Sequence, residues 1–161
     1  MVAAYKPAAE FIKLAHQIKL NATFVNISFV GSNALAKELG PAGAGTVVTQ
    51  VVPFPQDASI AVVAKYQAAL KASAPSEQPG FVSLEGYLVG RTIAAALDKV
   101  SGEVTRKSFV EAVQKSGGFD LGGFKLTYGP DNNRGSNTVF LTVIEADGTF
   151  KAVTRLEKPK S

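Results

Sequence analysis

Gly31-Ser32-Asn33 sets two polar side chains on a glycine corner directly after a β-branched and aromatic run, residues 22 to 30. A strand that ends in such a corner and passes into a helix leaves backbone N–H groups and short polar side chains at its carboxyl edge, where a ligand can meet them. The chemistry this supports is hydrogen bonding to a polar solute. Phosphate-loop chemistry does not fit, because the corner has neither the spaced glycines nor the lysine of a Walker motif. The later Gly40-Pro-Ala-Gly43-Ala-Gly45 follows a helix instead of opening one. A turn capped by Ser32, with no ligand, fits the same residues equally well.

Other reactive side chains are sparse. With no cysteine in the chain, disulfides, thiolate metal sites and cysteine nucleophiles are excluded together. The single histidine, His16, has no Glu, Asp or second His placed to orient it or to complete a metal shell, so it reads as a surface or half-buried side chain. Asp120, Asp131 and Asp147 lie in turn-rich contexts, where carboxylates bond to nearby backbone, and they read as turn formers before metal ligands. Glu85 and Arg91 are not at ion-pair spacing. The sequons Asn21-Ala-Thr23 and Asn26-Ile-Ser28 read as chance matches, the second lying inside a strand. No serine sits in a nucleophile elbow and no carboxylates pair, so the expectation is binding rather than enzymatic catalysis, with no cofactor and no metal.

The elements that would position these residues follow from periodicity. Ala8, Phe11, Ile12, Ala15 and Ile18 give an amphipathic helix over 7 to 19, with Pro7 in its first turn. A strand over 22 to 30 runs into the corner, and a short helix from Ser32 ends near Gly40. Thr46 to Val52 is a second strand, stopped by Pro53-Phe-Pro55. Helices are predicted over 59 to 72 with Asp57 as a cap, 81 to 100 and 105 to 115. Phe124 to Tyr128 alternates as a strand, residues 129 to 135 read as a loop, and Val139–Ile144 pairs with Phe150–Arg155 through Asp147-Gly148. Early β-α alternation predicts an α/β fold with a mainly parallel sheet and a C-terminal antiparallel hairpin.

The 161 residues, 46% hydrophobic and 19% charged, match one globular domain. The net charge of +4 comes from scattered lysines, with one cluster at Arg155-Leu-Glu-Lys158-Pro-Lys160, so the bases read as solvated surface and no nucleic-acid partner is expected. Glu85, Arg91 and Asp98 interrupt the longest apolar stretch, which leaves no membrane span, and Gly86 and Gly90 read as close helix packing in a core. Pro7 precedes any apolar run, so no signal peptide is expected, and the polypeptide as written would stay in the cytoplasm.

Five segments together carry a resemblance. They are residues 5–13, beginning Tyr5-Lys-Pro-Ala-Ala-Glu; Phe24-Val-Asn-Ile-Ser-Phe-Val-Gly-Ser-Asn33; Val47-Val-Thr-Gln-Val-Val-Pro-Phe-Pro55; Phe81-Val-Ser-Leu-Glu-Gly-Tyr-Leu-Val-Gly-Arg91; and residues 132–141, beginning Asn132-Asn-Arg-Gly. In this order the chain resembles the carboxyl-terminal half of a type I periplasmic solute-binding protein of ABC transporters, the leucine/isoleucine/valine-binding-protein group of extracellular ligand-binding receptors. The resemblance implies a truncated Rossmann-like three-layer sandwich within a two-lobed protein. It implies that residues 1–52 and 119–161 are second-lobe elements and that residues 53–118 carry a hinge crossing, spanning Val51 to Pro55, and first-lobe helices. It also implies that Met1 is internal to a longer frame or that the chain is a fragment.

By the same resemblance the ligand-binding residues are Tyr5, an aromatic that in relatives reaches over the solute, and Ser32 and Asn33. Amino-acid-binding relatives place an acidic residue at this corner against the ligand's ammonium, whereas Ser32 and Asn33 are neutral. The implied solute is an amino acid, an amide or a small carboxylic or aromatic acid, delivered without catalysis to an ABC permease. In the full-length context the location is periplasmic. A ligand-sensing or regulatory domain of the same fold is the alternative. The isolated chain is expected to bind solutes weakly or not at all and, with apolar faces and sheet edges uncovered, to self-associate.

Overall fold

The computed structural model describes residues 1–156, so part of the basic cluster Arg155–Lys160 lies outside the described residues. In chain order the elements are α1 (Tyr5–Gln17), β1 (Val25–Asn26), α2 (Ser32–Leu39), β2 (Val47–Gln50), α3 (Ala61–Ser73), α4 (Phe81–Leu97), α5 (Arg106–Ser116), β3 (Phe119–Asp120), β4 (Lys125–Gly129), β5 (Asn132–Gly135), β6 (Phe140–Ile144) and β7 (Phe150–Val153). They fall into two compact units. One is made of residues 1–52 with 139–156, the other of residues 53–138.

The first unit has a four-stranded sheet in the order β1-β2-β6-β7. β1 runs parallel to β2, while β2–β6 and β6–β7 are antiparallel. The expected α/β class is therefore present, but this sheet is mixed, because β6 enters between the parallel pair and the terminal strand. The hairpin forms at Asp147-Gly148: Glu145 N–H donates to Thr149 O at 2.8 Å and Gly148, at φ 80°, donates to Glu145 O. The Met1 amino group donates to Val25 O.

α1 and α2 cover this unit's core. Ala8, Ile12 and Ala15 recur at helical spacing and are buried against Leu35, Ala36 and Leu39 of α2, Val48 of β2 and Ile144 of β6. Full burial of each large aliphatic side chain stabilises the unit by about 1.5–3 kcal/mol before entropy is counted. The strand expected over 22 to 30 is much shorter. β1 spans two residues, and Ser28–Val30 turn as a 3-10 helix that brings Gly31 into the left-handed region at φ 76°.

In the second unit, α3 and α4 bury Val62, Val63, Tyr66, Leu84 and Leu88, the Tyr66 ring meets that of Tyr87 across the two helices, and β3, β4 and β5 form a three-stranded antiparallel sheet. The Tyr66 hydroxyl accepts from Gly80 N–H at 2.9 Å and lies 2.6 Å from Ser83 Oγ. Val62 N–H donates to Gly122 O at 2.9 Å, tying the start of α3 to the turn between β3 and β4. Three sequence expectations change here. Asp57 does not cap α3, whose N-cap is Ile60; its carboxylate closes a local turn on Ser59. Residues 132–135, expected as loop, form β5, paired with β4 through Thr127 and Gly129. Gly86 and Gly90 are exposed, and a Cβ at either would meet nothing within 4 Å beyond its own helix turn, because α4 turns Phe81, Leu84 and Leu88 inward and the opposite face outward. At α5 the Thr105 hydroxyl accepts from Ser108 N–H and Ser108 Oγ accepts from Thr105 N–H, a reciprocal cap.

Candidate solute corner

The corner is built by the turn out of β1. Gly31, not Ser32, is the N-cap of α2, and its carbonyl accepts from Leu35 N–H at 3.0 Å. Its φ of 76° is the reason for a glycine here, since a Cβ would have room, with Ala34 Cβ 3.9 Å away, but not the backbone conformation. No side chain caps α2, so the first-turn N–H groups keep their capacity to bond an external acceptor.

Ser32 is the first helical residue, and its hydroxyl is turned into the protein rather than onto its own helix. It is 2% exposed and accepts from Gln50 Nε2 at 2.8 Å. Gln50, at the end of β2, also donates to Thr142 Oγ1 at 3.2 Å, and Thr142 donates to Val48 O at 2.9 Å. The corner is thus fastened to β2 and β6 through one carboxamide. Asn33, the next residue, is exposed. Tyr5 opens α1 and is partly buried against the unit's core. All three predicted binding residues therefore belong to the first unit: Ser32 and Asn33 are adjacent, and Tyr5 stands on a different helix.

Sequence reasoning missed Gln50, Thr142 and Asn26, which are 0%, 1% and 0% exposed. Their signal was a polar residue flanked on both sides by apolar or β-branched residues. Asn26 Nδ2 and Oδ1 and Gln50 Oε1 have no hydrogen-bond partner among the described residues. A buried polar atom left unpaired costs about 1–3 kcal/mol. The burial of Asn26 also closes its sequon to a glycan in the folded chain.

Asp120, Asp131, Asp147 and His16 lie on turns and on the surface. Asp120 Oδ1 accepts from the N–H groups of Gly122 and Gly123 at 2.8 and 2.9 Å, which holds the carboxyl below its ordinary value. Asp147 is lowered by the Thr149 hydroxyl and then by the Thr149 N–H. Asp131 lies in the turn between β4 and β5. His16 is exposed, with its ring edge-on to Phe24 at 5.5 Å. Among the described residues no group of three or more His, Asp or Glu is placed to hold a metal ion, and no helix is long and apolar enough to cross a membrane. Among the described residues, the second unit includes these hollows. One of about 370 Å³ includes Lys125, Asn132 and Arg134, and one of about 400 Å³ is lined by Phe109, Val113, Tyr128 and Pro130 among others. Neither includes Tyr5, Ser32 or Asn33.

The sequence model of the periplasmic binding protein family matches residues 1–149. The chain belongs to that family. Among solved structures, a possible leucine/isoleucine/valine-binding protein from Rhodopirellula baltica shares 36% identity at a TM-score of 0.88, over 95% of this chain and 42% of that one. An extracellular ligand-binding receptor from Verminephrobacter eiseniae shares 28% identity at a TM-score of 0.82, over 92% of this chain and 42% of that one. A leucine binding protein from Thermotoga maritima, at 18% identity and a TM-score of 0.80 over 95% of this chain and 42% of that one, has the same fold. No curated protein matches significantly.

This periplasmic binding protein chain therefore spans 42% of the length of these solved relatives. Its α/β fold is that of the matching part of a type I member. The family consists of periplasmic or extracellular solute-binding proteins, not enzymes.

Proposed function

We propose that the chain is the carboxyl-terminal part of a periplasmic solute-binding protein that delivers a small solute to an ABC permease without catalysing a reaction. The observation that carries this reading is the Gly31-Ser32-Asn33 corner, with uncapped helix N–H groups and an exposed carboxamide on a backbone fastened by Gln50. The 36% identity with the possible leucine/isoleucine/valine-binding protein supports it over most of the chain. Unlike a site with an acidic side chain, this corner offers the ammonium of an amino acid no carboxylate, and a buried ammonium without one is costly. The solutes that fit are an amide or a small carboxylic or aromatic acid before an amino acid, held by Asn33, the helix N–H groups and Tyr5.

We also assign residues 1–52 and 139–156 to one lobe and residues 53–138 to the other. Placing the boundary after 138, where the sequence suggested 118, is supported by the bonds of β3–β5 to the helices before them, Val62 N–H to Gly122 O and Tyr128 N–H to Gly117 O. Val51 to Pro55 then spans the passage between lobes. More than half the length of the relatives has no counterpart in this chain, so the cleft it carries alone is incomplete and its solute affinity is too weak to detect.

The test uses this chain fused to the unmatched portion of the Rhodopirellula relative. Calorimetric titration of leucine, small carboxylic acids and aromatic acids is expected to show saturable binding that Asn33→Ala weakens at least tenfold. Binding untouched by Asn33→Ala contradicts the corner assignment.

A further inference from the structure

Behind the corner, the sheet carries three buried polar side chains, Asn26, Gln50 and Thr142, and the solute reading leaves the Asn26 carboxamide and the Gln50 Oε1 unused. Asn26 on β1 stands in register with Val48 on β2, and Val48 in turn with Thr142 on β6. Gln50 is two residues beyond Val48 on the same strand, so Asn26, Thr142 and Gln50 share one face of the sheet by strand alternation. All three are at most 1% exposed.

The bonding pattern fixes what is left over. Thr142 has one hydroxyl proton and gives it to Val48 O, so toward Gln50 it can only accept. The amide nitrogen of Gln50 must therefore face Thr142 and Ser32, which leaves Oε1 as the unpartnered end. With both ends of Asn26, the cluster presents two carbonyl acceptors and one NH2 donor to the interior. Ser32, which accepts from Gln50, keeps its own hydroxyl proton to give. An anion would answer the donors and oppose the two carbonyls; a cation would do the reverse. A small neutral molecule that both donates and accepts answers all of them.

We infer that Asn26 and Gln50 hold a structural water site behind the solute corner. The bound water donates to Asn26 Oδ1 and Gln50 Oε1 and accepts from Asn26 Nδ2, extending the Thr142–Gln50–Ser32 chain of hydrogen bonds across to β1. Buried waters of this kind make about three hydrogen bonds to otherwise unpaired groups and are costly to remove. The site is separate from the solute reading and stands whether or not the corner binds a solute.

The test is a high-resolution crystal structure of this chain, with water-to-amide cross-relaxation measured on the Asn26 and Gln50 side chains in solution. An ordered water within about 3 Å of Asn26 Nδ2 and of Gln50 Oε1 is expected, with cross-relaxation to both amides. A dry cluster, or protein atoms satisfying these groups, overturns the inference. Asn26→Leu, close in shape and unable to hold water, gives a second reading. If water satisfies the carboxamide, the variant loses those bonds and melts about 2–6 °C lower. If the carboxamide is dry and orphaned, the variant melts at the same temperature or higher, and the inference fails.

Discussion

Gln50 Nε2 donates to Ser32 Oγ at 2.8 Å, joining the end of β2 to the first turn of α2 across 18 residues of sequence. The same amide reaches Thr142 Oγ1, so one side chain connects three elements of the first unit. This relationship explains why the serine of the corner is turned inward while Asn33 remains at the surface.

Removing that amide leaves two buried hydroxyls without their donor. Gln50→Leu is expected to lower the unfolding free energy by about 1–3 kcal/mol, because the shape is roughly kept and the loss is that of hydrogen bonds. Urea unfolding followed by circular dichroism measures it. A variant as stable as the parent would show that the network contributes nothing.

Gly31 is expected to tolerate asparagine better than alanine. The left-handed conformation at φ 76° costs an alanine about 1–2 kcal/mol, whereas asparagine visits this region more readily. Equal destabilisation of Gly31→Ala and Gly31→Asn in parallel melts would contradict a conformational origin.

Acid sensitivity should come partly from two exposed turns. The carboxyls of Asp120 and Asp147 lie below their ordinary value of 3.8, the first because Gly122 and Gly123 N–H groups bond it, the second because the Thr149 hydroxyl and N–H do. A lowered folded value means the stabilisation is present in full above 3.8 and is lost as pH falls through the folded values below it. Melting temperatures from pH 7 downward should therefore fall less steeply at the acid end for Asp120→Asn than for the parent. Parallel curves would remove Asp120 from the acid transition.

The outer face of α4 bears Val82, Gly86, Val89 and Ile93 at spacings of four, three and four, with Val82, Val89 and Ile93 exposed by 66%, 53% and 46%. In the isolated chain, a second copy is expected to cover this face. Light scattering should show mass rising with concentration, and Val89→Lys with Ile93→Lys should suppress the rise while leaving the far-ultraviolet dichroism unchanged. A monodisperse monomer of the parent contradicts the expectation.

Much of the fold was legible where one physical signal dominated. Ala8, Ile12 and Ala15 gave α1 its buried stripe, and Asp147-Gly148 gave the hairpin its turn. The corner was visible because Gly31 interrupts an apolar run. Its support was not, because the partners of Ser32 come from positions 50 and 142, and no local pattern reports a bond between residues so far apart. The same limit misread Ser32 as a cap, since serine before a helix has that propensity until a distant amide competes for its hydroxyl. Gly86 and Gly90 misled for a related reason: spacing identifies a face of small residues but not whether anything packs on it.

The central claim is that this chain carries one part of a solute cleft, completed by the rest of a two-lobed binding protein. Isothermal titration of one solute panel into the chain alone and into its fusion with the unmatched portion of the Rhodopirellula relative tests it most directly. The account predicts saturable binding by the fusion and none detectable by the chain alone. Equal affinity in both, or a folded fusion that binds nothing in the panel, would contradict it.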